Sequence, residues 1–556
     1  MARRRVEKPL ESTTTSHALS RVLLVLLALV AFANGLPNAF TYDDLDIVRD
    51  NPRLGDPAQV SQLVTVGYWG ETSDVYRPVV LLSFAVQGWV HGLSAPLLRG
   101  VNVVLHGLVV LLLFEWLLSL GMDRRLCIVA SALFAVMPIH VEAVTSIVGR
   151  AELMAAALSL LSALAYLRAA RVAERRGTWA TLAVGAFGLA LFAKESAAAL
   201  PGVIILAELF WPATPTGAPR ERWKRIVVVA AAGVAVLAVA LWIRHLVLGG
   251  ALRSPTALPT ELTNPLSSLP PGLRILNASN YLWLYAAKCV VPFRLSADYS
   301  AWALRPIRAL ADPVVWIGSI GWLAVLVAAL RWRRTFPQIG LGLLFFPVAF
   351  LPTSNLVFPI GTVFAERLAY FPSAGIAVLA GFVLLLAGRH VFRTTEPGPR
   401  GLFLPALLVA LLIPMTMRRN RDWRDDRSLY QAIVREQPGA ARGRYLLGFD
   451  AYRRGDLPAA ELELRAAVAI HRPFPNAWNV LGDVLWRQRK FAEALAAQET
   501  AVALAPRRPD SLYYLALWNA QLGREDQARS LLRRGIALFP ADESFRRGLQ
   551  ELDSPR

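Results

Sequence analysis

The chain has 556 residues, is 55% hydrophobic, carries a net charge of +19 and has a mean hydropathy of +0.43. Its apolar residues come in runs of about 20, the length that crosses a bilayer core as a helix, which excludes a purely soluble or disordered chain. The basic residues sit in small clusters between these runs, so the charge reads as topology signal and lipid-headgroup contact, and a nucleic-acid partner is not expected. Arginine greatly outnumbers lysine, a bias that fits a GC-rich bacterial coding sequence and points to a bacterial inner membrane. The two cysteines, Cys127 and Cys289, both lie inside apolar runs and form neither a metal motif nor a disulfide framework.

Taken in order, the chain opens with Arg3, Arg4, Arg5 and Lys8 before an apolar stretch with no small-residue cleavage site after it. This reads as a cytoplasmic tail (1–20) and an uncleaved first span. About 11 spans are expected, near 21–38, 98–119, 126–139, 151–168, 179–193, 197–211, 226–247, 313–330, 338–352, 368–388 and 402–417. The short loops at alternate ends carry Arg124–Arg125, Arg171 to Arg176, Arg220 to Arg225, Arg331 to Arg334, and Arg389 with Arg393. Basic loops stay inside, so an odd number of crossings puts the C-terminus outside. Two apolar stretches, 78–91 and 276–292, are too short or break the charge alternation; they are expected to lie on the outer face.

The last 140 residues or so have no span-length run. Here Gly448 and Gly482, Ala460, Ala494 and Ala528, and Pro506 and Pro540 recur at 34 residues, the tetratricopeptide period. Three repeats are expected at 441–474, 475–508 and 509–542, after a connecting segment at 418–440 and before a tail at 543–556. The fold class is therefore all-α: a polytopic membrane helix bundle over 21–417, with a first outer loop at 39–97, followed by an α-solenoid. Such an array either stabilises and dimerises or offers a concave surface to an extended peptide.

Ionisable groups at the outer ends of spans are costly unless they meet a cavity or a partner. Asp43 and Asp44 follow span one directly; two adjacent carboxylates can hold a cation, supply a general base, or only cap a helix. His140, Glu142, Arg150 and Glu152 crowd the outer end of span three without any two-histidine zinc spacing. Lys194–Glu195 joins spans five and six, as a local ion pair or as part of a polar pocket. Glu366–Arg367 precedes span ten, and the planar fork of Arg367 suits phosphate. Carboxylates and cations from distant segments thus fall on one face, as transfer from an anionic lipid-linked substrate requires. A phosphate-cradling GxxxxGK loop, a dinucleotide fingerprint and a serine nucleophile elbow are all absent from the sequence.

The segments YDDLDIVRDNPRL, YRPVVLLSF, VNVVLHGL, PIHVEAVTSIVGRAEL, AKES, LSADYS and NLVFPIGTVFAERLAYFPSAG occur in that order before the repeats. Together they resemble the transmembrane and tetratricopeptide-repeat O-mannosyltransferases of the GT-C glycosyltransferase superfamily. The resemblance implies about eleven spans and an active site on the outer face. It also implies a polyprenyl-phosphate sugar, carrying mannose or another hexose, as donor, with inversion at the anomeric carbon. Its catalytic acid lies early in the first outer loop, where Asp43 and Asp44 stand. His140, Glu142, Arg150, Lys194, Glu195, Glu366 and Arg367 are the substrate-binding candidates. A divalent cation is possible, with Asp43, Asp44 and Glu142 as its ligands. The acceptor is a protein Ser/Thr hydroxyl, a lipid or a polysaccharide; a non-catalytic scaffold recruiting partners through the repeats is the remaining alternative.

Overall fold

The structure is a computed structural model that describes residues 11–71, 73–213, 219–249, 260–393 and 399–554. The expected N-terminal cluster of Arg3 to Arg5 and Lys8 lies outside them. Every regular element among the described residues is helical, and the chain divides into two compact units.

The first unit comprises residues 1–259, 266–297 and 306–429. Helix α1 (Glu11–Phe32) leads into the first loop, which holds α2 (Val60–Thr65) and α3 (Pro78–His91). Then come α4 (Ala95–Ser119), α5 (Arg124–Ala135), α6 (Val141–Val144), α7 (Arg150–Arg171), α8 (Arg176–Ala193), α9 (Leu200–Phe210) and α10 (Pro219–Leu248). The unit closes with α11 (Pro271–Val290), α12 (Val314–Trp332), α13 (Pro337–Phe350), α14 (Ser373–Val391) and α15 (Phe403–Asp422).

Among the described residues, 8 helices are long and apolar enough to cross a membrane, and their surfaces carry exposed Val, Leu, Ile and Trp side chains. The pair α5 and α6, bent by 51°, makes 9 when counted as one broken span. Pro138 ends α5 there, because proline has no N–H to continue the ladder. The two remaining expected spans are short α-helices extended by 3₁₀ turns: Glu195–Ala199 before α9 and Leu351–Thr353 after α13. At about 1.5 and 2.0 Å per residue each reaches roughly 26 Å, close to the apolar thickness of a bilayer. Both were legible as apolar runs, yet neither is one helix of span length. The chain is an integral membrane protein.

The ends of the bundle differ in chemistry. Where the basic loops gather, Arg21 meets Glu115 at 2.6 Å, Arg171 donates to the Ala213 carbonyl at 2.8 Å, and Arg225 reaches Glu208 at 3.2 Å. The opposite ends of the same helices carry the buried acidic and basic groups described below.

The second unit comprises Thr260–Pro265, Asp298–Arg305 and Tyr430–Arg556. After α16 (Asp426–Glu436) it holds three helix pairs: α17 (Ala441–Arg453) with α18 (Leu457–Ile470), α19 (Pro475–Arg487) with α20 (Phe491–Leu504), and α21 (Pro509–Gln521) with α22 (Glu525–Leu538). Helix α23 (Glu543–Asp553) lays Phe545 over the last pair. The first helices of the pairs start 34 residues apart. Gly482 has no side chain because a Cβ there would meet Gln498 Oε1 at 2.7 Å, so the two helices of the middle pair cross closely. The LSADYS segment is split: Asp298 to Ser300 belong to this unit, and just after them Ala301 N–H donates to Leu262, Trp302 N–H to Gly439, and the Ala441 N–H to Ala301.

Candidate functional site

The site is assembled from the first loop, the α6–α7 turn, the α8–α9 joint and the turn before α14. Each is fixed by side chains that the sequence separates widely. The start of the first loop is pinned to the end of the bundle's last span. Ala39 N–H donates to the Arg424 carbonyl, and Tyr42 N–H to Asp426 at 2.8 Å.

Asp44 is the anchor of this loop. It is fully buried, and its Oδ1 accepts the Val148 N–H at 3.0 Å and the Ser146 hydroxyl at 3.3 Å. Its Oδ2 accepts the Thr41 N–H. Burial pushes its carboxyl up to about 6, against the pull of these hydrogen bonds and of Arg99. The turn it grips is also held by Arg99, on the Thr145 carbonyl, and by Asn102, on the Ser146 and Ile147 carbonyls. Gly149 is required there: a Cβ would lie 2.3 Å from the Ala143 carbonyl oxygen.

Holding Asp44 inward leaves Asp43 half-buried beside it, with Arg367 and Tyr68 among its electrostatic neighbours. Arg367 is clamped by Glu142, which accepts both its backbone N–H, at 2.9 Å, and its guanidinium. Burial works against the charged guanidinium, but Glu142 and Asp43 outweigh it and hold the group above its ordinary range. The turn bearing Arg367 is braced by Tyr285, whose hydroxyl accepts the Ala365 N–H and whose ring stacks on Phe364.

The Lys194–Glu195 pair does not close on itself. Lys194 is buried against Glu152, while Glu195 accepts two hydrogen bonds from Arg77 and has Arg244 at 3.7 Å. Burial lowers the Lys194 ammonium to about 8; Glu152 opposes this, and Arg77 and Arg367 add to it. Asp43, Glu142, Glu152, Lys194, Glu195, Arg77 and Arg367 therefore form one connected network.

Three expected site residues stand apart from it. Arg150 is buried across α3, α4 and α7, bonded to Asn102, Ser83, Gln87 and the Leu98 carbonyl, with its fork over the Phe84 ring. All its donors face protein, so it is a staple. His140 sits in a box of His106, Phe134 and Tyr370 and bonds Ser373 at 2.8 Å. Glu366 turns away from its neighbour Arg367, accepting the Ser296 N–H and lying 3.5 Å from Arg419.

Two of the three residues expected to hold a divalent cation are already engaged. Asp44 gives its oxygens to backbone and hydroxyl donors, and Glu142 gives both of its oxygens to Arg367. Among the described residues no three His, Cys, Asp or Glu are grouped to hold a metal ion.

Arg77 and Tyr68 complete the network beyond the residues singled out from the sequence. Arg77 had a signal: it directly precedes Pro78, which starts α3, so its side chain is fixed where the first loop re-enters the bundle. Tyr68 had none, being one aromatic in a polar loop.

Residues 474–541 match the tetratricopeptide-repeat family model. Over 79% of its length the chain is 27% identical to the protein O-mannosyl-transferase TMTC4 of Mus musculus, covering 65% of that protein. Over 92% of its length it is 26% identical to the protein O-mannosyl-transferase Tmtc3 of Drosophila melanogaster, covering 62% of it. It thus spans less than two thirds of the length of these relatives. A solved structure of the Archaeoglobus fulgidus oligosaccharyltransferase, with zinc and sulfate, aligns at a TM-score of 0.38 and 13% identity, over 77% of this chain and 57% of that one.

Proposed function

We propose that this chain, a relative of the transmembrane and tetratricopeptide-repeat protein O-mannosyl-transferases, moves a hexose from a polyprenyl-phosphate donor to a protein Ser or Thr hydroxyl on the outer membrane face. The observation that carries the reading is the half-buried Asp43 beside Arg367, at the bundle ends opposite the basic loops. The positive-inside rule makes that face the outer one.

In this reading Asp43 is the general base. A neutral hydroxyl is a weak nucleophile, so a carboxylate takes its proton as the oxygen attacks the anomeric carbon. The new glycosidic C–O bond forms as the bond from that carbon to the phosphate oxygen breaks, inverting the centre. The leaving group departs as a lipid phosphate and needs cations rather than an acid. Arg367 and Arg77 serve there, each held by a carboxylate from another segment, Glu142 and Glu195. Asp44 is the less suitable base, since its oxygens already accept three hydrogen bonds. No step requires a metal ion.

The repeats are the acceptor-binding candidate. Helix α17 carries Tyr445, Phe449 and Tyr452 in a stack with ring centres 5.9 and 6.1 Å apart, a surface suited to an extended peptide.

The test is whether purified protein releases polyprenyl phosphate from a panel of polyprenyl-phosphate hexoses while labelling an unfolded polypeptide. Release that needs a glycolipid or glycan acceptor reassigns the acceptor class. No release with any donor overturns the reading.

A further inference from the structure

The loop from Asn51 to Arg77 spends buried polar groups on holding one residue. Arg53 is buried and donates to the carbonyls of Gly67 (3.1 Å) and Tyr68 (3.3 Å), with its Nε on Asn51. Asn51 in turn donates to the Ile47 carbonyl. The Tyr68 N–H donates to the Val75 carbonyl at 2.7 Å, closing a tight turn with Gly70 at φ +110°. A Cβ on Gly67 would meet Ser73 Cβ at 2.7 Å. The Tyr68 backbone is therefore fixed on both sides, and the Arg77 guanidinium stands 5.4 Å over its ring.

The Tyr68 hydroxyl, by contrast, is buried with no protein partner. Four other tyrosines of the first unit are satisfied: Tyr76 on Val64, Tyr166 on Glu208, Tyr285 on Ala365, Tyr370 on His106. Tyr281 shares the lack of a partner, but burial alone acts on it. Tyr68 differs because Arg77 lies over its ring and both Arg77 and Asp43 act on its phenol, which places it beside the network. A buried polar group without a partner is unfavourable, so a bare, rigidly held hydroxyl beside reacting groups marks a ligand contact.

We infer that the Tyr68 hydroxyl donates a hydrogen bond to a phosphate oxygen of the lipid-linked donor, next to Arg77. The assignment rests on the donor class proposed above. Burial raises the Tyr68 phenol above its ordinary range, which keeps the proton on the oxygen as a donor requires. Tyr68 is a binding and positioning residue and takes no proton in the reaction.

Tyr68→Phe removes the hydroxyl and no other atom. Because that oxygen has no protein partner, the thermal midpoint in detergent should match wild type or rise slightly. Binding of sugar-free polyprenyl phosphate should weaken about 10–100-fold, as loss of a hydrogen bond to a charged group implies. The donor KM should rise with it, and kcat should change less. Equal polyprenyl-phosphate affinity in both proteins overturns the assignment. A lowered midpoint with unchanged affinity does so too, identifying the hydroxyl as the holder of a structural water. Wild-type protein that binds no polyprenyl phosphate at all overturns the donor reading itself, and this assignment with it.

Discussion

The bundle and the repeat unit use charge in opposite ways. In the repeats, many ion pairs are local and reach solvent: Arg454 with Asp450, Arg487 with Asp483 and Arg529 with Glu525 are each one helical turn apart. Such pairs are worth about 0.3–0.5 kcal/mol. In the bundle, three pairs join different helices or turns and bury their carboxylates: Lys194 with Glu152, Arg225 with Glu208, Arg367 with Glu142. Losing one partner of a buried pair costs about 3–5 kcal/mol, although the intact pair adds little net stability. Charge in the repeats keeps a solenoid in water; charge in the bundle is kept for position and chemistry. Substitutions on either side of that contrast should therefore differ in size and in kind.

The largest effect is expected at Asp43. Asn keeps the shape but cannot take a proton, so Asp43→Asn should lower turnover about 10²–10⁴-fold. Polyprenyl-phosphate binding and thermal stability should stay near wild type. Turnover within a few-fold of wild type would remove Asp43 as the base.

Next comes Lys194→Met, which leaves the Glu152 carboxylate buried without its cation. A loss of about 3–5 kcal/mol is expected, seen as a lower thermal midpoint in detergent. Replacing both partners, Lys194→Met with Glu152→Leu, should recover most of the midpoint. If the single change is silent, Glu152 has another partner and the pair is not what orders the α8–α9 joint.

Asp44 gives a pH signature. Its folded value is about 6 against 3.8, so the native state holds this proton more tightly than the unfolded chain. The stability it contributes is full below about pH 4, declines as pH rises to about 6, and then levels off. The span is on the order of 3 kcal/mol. Asp44→Asn cannot ionise and should flatten that slope. Midpoints measured from pH 4 to 7 decide it: an unchanged slope in the variant assigns the titration to another group.

The same contrast explains what the sequence made legible. The repeat period was readable because each unit is built from contacts within about 34 residues, and helices α17, α19 and α21 begin at that spacing. Span-length apolar runs were readable because lipid imposes their length. The site was readable only as a set of outer-end residues. Nothing local tells Asp43 from Asp44; they differ because the α6–α7 turn, a hundred residues on, takes up one of them. Sequence left Lys194–Glu195 open between a local ion pair and part of a polar pocket, because neighbours in sequence need not be neighbours in space. An extended Lys194 instead sends the two side chains to Glu152 and Arg77. Arg150 reads as a substrate-binding candidate in sequence because its burial among α3, α4 and α7 is a property of the packed bundle.

The smallest effect is expected in the repeats, at Glu461. This carboxylate joins α18 to the start of α20, accepting from Arg465 at 2.9 Å, one turn on, and from Lys490 at 2.7 Å. Both partners are exposed, so water and salt screen the pair and each cation stays solvated when the acid is removed. Glu461→Gln keeps the side-chain length and one acceptor oxygen. It should lower repeat stability by less than about 1 kcal/mol, and the difference from wild type should shrink further in 0.5–1 M salt, roughly where the Debye length nears the contact distance. Turnover should be unchanged, since the carboxylate belongs to the α18–α20 packing and to no part of the bundle's network. The measurement is protease resistance of the repeats alongside turnover at low and high salt. A loss of several kcal/mol that salt does not reduce would mean that the repeats, like the bundle, rely on desolvated charge, and the contrast between the two units would fail at its clearest point.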